Sequence, residues 1–565
     1  MPEGWSSVTQ GSQKQQQNNN SISKQRWQID KPQDEIYLIA AEFTEYQQTA
    51  ILQTAPVQAQ VLLREADRKL ADRYLQATIK YLKMYEQLIG PYPYSKFALV
   101  ENFWESGFGM PSFTLLGSRV IRLPFILNTS YPHEILHNWW GNGVYVDFDR
   151  GNWSEGLTAY LADHLIKEQQ GQGANYRLQS LQKYRDYATK HRDFPLTEFR
   201  SRHSSATEAV GYGKALMMFH MLRKQLGDNL FRKALQEFYL QHQFKIASFD
   251  DLQRSFETVA GRSLNNFFSQ WVEHTGAPEL ALVSAHVEQQ AERFRLKFTL
   301  QQRQANNRYD LVVPVAITLP NRAEAEQHVI TMSKRQQTFE LDLPASPARL
   351  DIDPQFDLFR KLALEETPPA FTQIFGASKL LVVYPSNTAT ELKQAWQSFA
   401  ADISHMGPEQ VTTVSDTEID ALPNDRAVVV LGWNNRFTPY LQQQLRQHPL
   451  TFKPDTILLG KEPLSRQNQA FAWVTRVQSK TGQPRPMALI TADQASALPG
   501  LGRKIPHYHK YSYLAFSGTE PKNNLKGRWP VTNSPMAKLF KPEVTIAKLQ
   551  SSAPLIETKY LSTRE

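Results

Sequence analysis

Thr129-Ser130-Tyr131-Pro132-His133-Glu134-Ile135-Leu136-His137-Asn138-Trp139-Trp140-Gly141-Asn142 is the stretch on which the fold of this chain turns. Thr129-Ser130 and Pro132 mark the entry of a helix, and His133 and His137, four apart, project from one face of it about 40° from each other. Two imidazoles at that spacing can hold one metal ion. Glu134 follows the first His directly, where it can take a proton from an attacking water without ligating the metal. Catalytic zinc takes three protein ligands and keeps one position open, so the third ligand must come from elsewhere. Glu155 is the candidate. It lies eighteen positions after His137, at the start of Glu155-Gly156-Leu157-Thr158-Ala159-Tyr160-Leu161, which reads as a second helix able to pack against the first. The chain has no cysteine, which excludes disulfides and thiolate catalysis and leaves His and carboxylate as zinc ligands.

The run His133-Glu134-Ile135-Leu136-His137-Asn138-Trp139-Trp140-Gly141-Asn142, followed by Asn152-Trp153-Ser154-Glu155-Gly156, resembles the zinc core of the membrane alanyl aminopeptidase family of gluzincin metallopeptidases, which includes the leukotriene hydrolase. The resemblance implies a thermolysin-like domain with one zinc ion on His133, His137 and Glu155, and Glu134 as general base. Val210-Gly211-Tyr212-Gly213-Lys214-Ala215-Leu216 resembles the family segment with the catalytic tyrosine, which makes Tyr212 the expected hydrogen-bond donor to the oxyanion. Trp271 with Gly276-Ala277-Pro278 resembles the end of the family's catalytic domain. The likeness runs over roughly residues 30–360, and the last 200 or so residues fall outside it.

Three departures from the family pattern stand out. One residue fewer separates His137 from Glu155, a deletion that a loop absorbs. Ala162 stands where the family has a Glu beside the metal ligands, and Asp163, next to it, points about 100° away on a regular helix. Upstream, where the family carries Gly-x-Met-Glu-Asn, this chain has Phe108, Gly109, Met110, Pro111 and Ser112. Pro111 thus replaces the carboxylate that holds a substrate's amino end, a charge-assisted hydrogen bond worth about 1.5–3 kcal/mol. Gly109 and Met110 can still offer backbone groups to an extended peptide. Glu105 is a conceivable substitute anchor, and Glu101-Asn102 lies ten residues too early.

Working outward, 565 residues exceed one core, and 41% apolar content with 11% aromatic residues suits a multidomain globular chain. Gly11 to Lys24 is polar and Gln/Asn-rich, a mobile loop on composition, and Glu35 to Phe43 reads as strands. Leu70, Tyr74, Leu75, Ile79 and Leu82 follow helical spacing up to Gly90-Pro91. Phe97 to Val100 is strand-like, and helical patterns then continue to about Thr275, with breaks at Gly227-Asp228 and Ser248. Alternating segments from Leu280 to Ile352 predict a β-sandwich, Pro368-Pro369 a linker, and the strands Leu380–Val383, Ala427–Leu431, Thr456–Leu459 and Met487–Ile490 an open α/β sheet. The fold class is therefore multidomain α+β: a partial N-terminal β-domain (1–58), a mainly helical catalytic domain (59–277), a β-sandwich (278–366) and a C-terminal α/β domain (367–565).

The formal charge of +8 and pI of about 9.2 are carried by scattered Lys and Arg, so the reading is a peptide or protein substrate and no nucleic acid. The sequence leaves the oligomeric state open. It shows no transmembrane run of 18 apolar residues and no signal peptide, which places the chain as written in the cytoplasm. Because Met1-Pro2-Glu3-Gly4-Trp5 resembles the middle of the family's β-domain, truncation is also expected, with the cell envelope as the alternative compartment. The leading expectation is a zinc-dependent, aminopeptidase-like metallopeptidase with altered recognition of the amino end. The alternative is a catalytically inactive, zinc-stabilised peptide-binding or assembly protein, and a non-peptide hydrolase comes third. His507-Tyr508-His509 has possible metal spacing on a strand without a third ligand, and Gly432-Trp433-Asn434-Asn435 occupies a ligand-prone position without a chemistry.

Overall fold

A computed structural model describes residues 1–565 apart from 20, 21, 106, 291, 306, 479–481, 483, 532, 542–544 and 558–565. The architecture is multidomain α+β. The portion carrying the helix Ser130–Leu136 rests on a five-stranded sheet in the order Thr44–Ile51, Pro56–Leu63, Lys96–Asn102, Phe113–Gly117, Gly107–Met110. The three inner strands are parallel and the two outer ones antiparallel to their neighbours. Helix Arg68–Leu88 covers the sheet with Leu70, Tyr74, Tyr81 and Tyr85 buried, and Asp67 caps it by accepting from the Leu70 N–H at 2.9 Å. Gly107–Met110 is the sheet edge and runs beside the helix Ser130–Leu136.

Several expectations change here. The boundary at residue 58 falls inside Pro56–Leu63, because that strand pairs in parallel with Lys96–Asn102 from Gln58↔Lys96 to Leu62↔Val100. Most of the segment read as a mobile loop is an antiparallel hairpin, Ser12–Asn19 with Ile22–Gln28, whose backbone groups satisfy one another despite the polar side chains; residues 20 and 21 lie outside the described residues. Of Glu35 to Phe43, only Ile39–Glu42 is a strand, paired with Trp5–Val8.

Helices continue to Glu273; Gly227, at φ +80°, separates two of them, and Ser248 with Asp251 forms a capping box. The following region is a pair of sheets. One holds Leu280–Gln290, Arg293–Gln302 and Gln336–Leu343, the other Glu326–Met332, Leu311–Thr318, Arg349–Ile352 and, from near the chain's end, Ala537–Leu539. Residues 367–565 are therefore not a self-contained unit. Pro368-Pro369 is buried instead of forming an open linker, and Arg476 donates to the carbonyls of Thr367 and Pro368 at 2.8 and 3.2 Å.

The C-terminal sheet has seven strands in the order Gln410–Ser415, Lys379–Tyr384, Ala427–Leu431, Arg485–Ala492, Gln469–Val477, Tyr513–Ser517, Lys522–Gly527. The first four are parallel and the rest antiparallel. Thr456–Leu459 lies outside it, in a separate three-stranded meander. Among the described residues, no helix is long and apolar enough to cross a membrane.

Candidate metal centre

The helix Ser130–Leu136 carries His133 and Glu134 and is capped by His137. The two imidazole rings lie 4.8 Å apart, centre to centre. Glu155 enters from Ser154–Ala159, a helix that can come close because position 156 is glycine: a Cβ there would sit 2.2 Å from the Ala215 methyl. His133 Nε2 and His137 Nε2 lie 3.4 and 3.5 Å from the same oxygen, Glu155 Oε2. That oxygen is buried and has no hydrogen-bond partner. The opposite ring nitrogens are occupied, His133 Nδ1 by Asp163 Oδ2 at 2.7 Å and His137 Nδ1 by the Trp140 carbonyl at 3.0 Å. With a proton on each Nδ1, both Nε2 lone pairs face the Glu155 oxygen. Two imidazoles and one carboxylate converging within 4.8 Å suit a zinc ion, which would take both rings in their neutral form.

Asp163 corrects the expectation that it points away. The helix is regular only to Ala159; Tyr160–His164 is a π-helical turn, which adds a residue to the turn and rotates Asp163 onto His133. Periodicity alone cannot reveal such a bulge.

Tyr212 sits in a second π-helical turn, Ala209–Lys214, with its ring stacked on His133 at 6.3 Å. Burial and the neighbouring Glu155 carboxylate hold the phenol above its ordinary range, so it stays protonated and able to donate. Burial also raises Glu134, against the pull of both imidazoles, which makes it a stronger base than a free carboxylate. Burial alone would raise Glu155 as well, but His137 and His133 outweigh it and keep this carboxyl well below the usual range.

Glu134 and Tyr212 open on a cavity of about 340 Å³, whose lining also includes His133, Asp163, Ser180, Lys183, Arg202 and Glu208. Lys183, Arg202 and Glu208 in that lining are not marked by any sequence motif. Gly109 is brought to the site: a Cβ there would lie 2.8 Å from Glu134 Oε2, so the edge strand passes directly over the base. Met110 is not, as its side chain packs with the cluster of Val8, Leu62 and Phe113. Pro111 is buried in the turn after the strand. Glu105 accepts from the backbone N–H groups of Arg119 and Val120, and Glu101 is buried in an ion pair with Arg122 at 2.7 Å. Both carboxylates are thereby committed to their own loops.

Two other features resolve structurally. His507-Tyr508-His509 is not on a strand: Ile505–Tyr508 is a 3-10 turn, and His509 Nδ1 lies 3.3 Å from the Tyr187 hydroxyl. After Gly432, Asn435 donates to the Val383 carbonyl at 3.0 Å and accepts from the Phe437 N–H, so it closes its loop.

Residues 127–271 match the family described as Peptidase family M1 domain. Similar proteins include Aminopeptidase 2, mitochondrial, of Saccharomyces cerevisiae (22% identical over 299 residues, 47% of this chain and 30% of that protein) and Aminopeptidase N of Lactococcus lactis subsp. lactis (34% over 79 residues, 14% and 9%). Among solved structures, Legionella pneumophila aminopeptidase A in complex with aspartic acid shares the fold, with a TM-score of 0.54 at 14% identity, over 71% of this chain and 47% of that one. The segment 127–271 is thus similar to the catalytic domain of peptidase family M1. The chain spans less than a third of the length of these two curated relatives.

Proposed function

We propose that the protein hydrolyses peptide bonds with a single zinc ion held by His133, His137 and Glu155. The observation that carries this reading is the convergence of both Nε2 atoms on the unpartnered Glu155 Oε2, in a cavity that Glu134 and Tyr212 share. Zinc bound there would supply Lewis acidity at that point. Glu134 accepts the proton of the attacking water and passes it to the leaving amine. Tyr212 donates a hydrogen bond to the oxygen on which charge develops. Asp163 and the Trp140 carbonyl fix the tautomers of the two His residues. Gly109 leaves room for an extended peptide against the strand edge, the position from which backbone pairing is available.

Recognition of the substrate's amino end differs from that of the family's aminopeptidases. Pro111 supplies no carboxylate, and Glu101 and Glu105 are held by other partners. The substrate is therefore a peptide whose free amino group is not a strict requirement. Hydrolysis of a peptide library by the wild type and by Glu134→Gln, at equal zinc content, tests the reading. Cleavage is expected only in the wild type, and equal rates would overturn it. Peptide binding without cleavage by zinc-loaded wild type would favour a binding or assembly protein.

A further inference from the structure

The cations that are scattered in sequence gather beside the cavity. Lys183 and Arg202 line it and share Glu208, at 2.6 and 3.3 Å. Lys183 belongs to the helix Gly173–Tyr187, whose same flank meets the C-terminal α/β region. Lys510 donates to Gln179 Oε1 at 3.1 Å, one helical turn before Lys183, and Arg528 donates to Gln182 Oε1 at 2.7 Å, immediately before it. Lys526 lies over the rings of Tyr508 and Tyr511 at 5.5 and 5.9 Å, and Lys510 over Tyr511 at 5.6 Å. Among the described residues, none of Lys510, Lys526 and Arg528 pairs with a carboxylate; their contacts are amide oxygens and aromatic faces, and Arg528 Nε is buried without a partner. Burial lowers the Lys510 ammonium, and the charges of Lys183, Arg528, Lys167 and Lys526 lower it further, so these cations stand close enough to repel one another. Such a concentration of uncompensated positive charge costs stability unless an anion neutralises it.

We infer that this basic strip, shared by the helix Gly173–Tyr187 and the C-terminal α/β region, binds carboxylate groups of the peptide whose scissile bond lies at the metal centre. This rests on the peptidase reading and adds a substrate class to it: peptides with acidic groups beyond Tyr212. The strip starts at Lys183 in the cavity wall, so a chain lying in the cavity can run onto it. A carboxylate can come from the peptide's free C-terminus, on the leaving-amine side of the scissile bond, or from Asp and Glu side chains. The aromatic faces of Tyr508 and Tyr511 hold Lys526 and Lys510 in place while leaving their ammonium groups able to accept an anion.

The test uses the full chain and peptide pairs of one sequence: C-terminal acid against amide, and Asp/Glu against Asn/Gln downstream of the cleaved bond. The acidic member of at least one pair should have a kcat/KM about fivefold or more higher at low salt, and the gap should close as salt is raised. Lys526→Gln, a change at an exposed side chain that keeps the fold, and Lys510→Gln should each shrink that ratio. The pair that responds identifies the source of the carboxylate. In parallel, the affinity of the same peptides for Glu134→Gln protein reads the strip without catalysis. Wild type that cleaves nothing, while Glu134→Gln prefers acidic peptides, would sink the peptidase reading and leave the strip standing. Equal treatment of acidic and neutral peptides in both assays, or ratios unchanged in both Lys variants, would overturn the inference.

Discussion

Two helices of the site each contain one π-helical turn, and the two turns are held by different forces. Tyr160–His164, which carries Asp163, is gripped by buried polar groups. Tyr160 donates to His220 Nδ1 at 3.2 Å and His220 Nε2 to Asp357 Oδ1 at 2.9 Å, while Arg177 bridges His164 Nε2 and Asp357 Oδ1, both at 2.8 Å. Asp357 follows the sandwich strands, so a group from outside the helical region closes the network. Ala209–Lys214, which carries Tyr212, is seated mainly by shape: Gly211 lies so near Phe199 that a Cβ would come within 2.2 Å of its ring. Lys214 adds a hydrogen bond to the His274 carbonyl at 2.5 Å. The turn carrying Asp163 is thus fixed by charge, and the turn carrying Tyr212, the proposed oxyanion donor, by close packing. Charge fixes direction, which the His133 tautomer needs, and packing fixes distance, which a hydrogen-bond donor needs.

The largest expected effect tests the polar half of this contrast. Asp357→Ala leaves Arg177 buried without its carboxylate and should cost about 3–5 kcal/mol of stability, read from urea unfolding of wild type and variant. An unchanged midpoint would show that the network does not hold the first turn. Next in size, Tyr212→Phe should lower kcat about 100- to 1000-fold with zinc content unchanged, measured by steady-state hydrolysis alongside metal analysis. Loss of zinc instead would erase the distinction between the turns.

Asp163→Asn should weaken zinc binding about 10- to 100-fold, followed by competition with a chromogenic chelator. If Tyr212→Phe weakened zinc as much, the division of labour would be wrong. The smallest effect probes packing. Gly211→Ala should cost about 1–3 kcal/mol, and a second change, Phe199→Leu, should recover part of it by removing the ring that the new methyl meets. A Gly211→Ala protein as stable as wild type would mean that the second turn tolerates slack.

Legibility followed the range of the interactions concerned. The His pair, Glu134 beside it and the break at Ser248 depend on residues within one or two turns, so the local sequence exposes them. The parallel pairing of Pro56–Leu63 with Lys96–Asn102 depends on a partner over thirty residues away, and the expected boundary at 58 cut through it. Ala537–Leu539 finds its place in the sandwich nearly two hundred residues after Arg349–Ile352, with nothing local to announce it. Gln-rich Ser12–Asn19 looked unstructured because its composition buries little, yet a hairpin partner satisfies its backbone.

By itself the sequence determined which side chains could form a metal centre: the i, i+4 geometry of an α-helix places His133 and His137 on one face whatever surrounds them. It determined equally that position 111 offers no carboxylate. Only the tertiary structure decided that Asp163 faces His133, since a π-helical turn shifts the phase by a residue and is stabilised by partners as distant as Asp357. It alone also decided that Lys183, Arg202, Lys510, Lys526 and Arg528 form one surface. Electrostatic interaction depends on distance through space, and chain order does not record that distance.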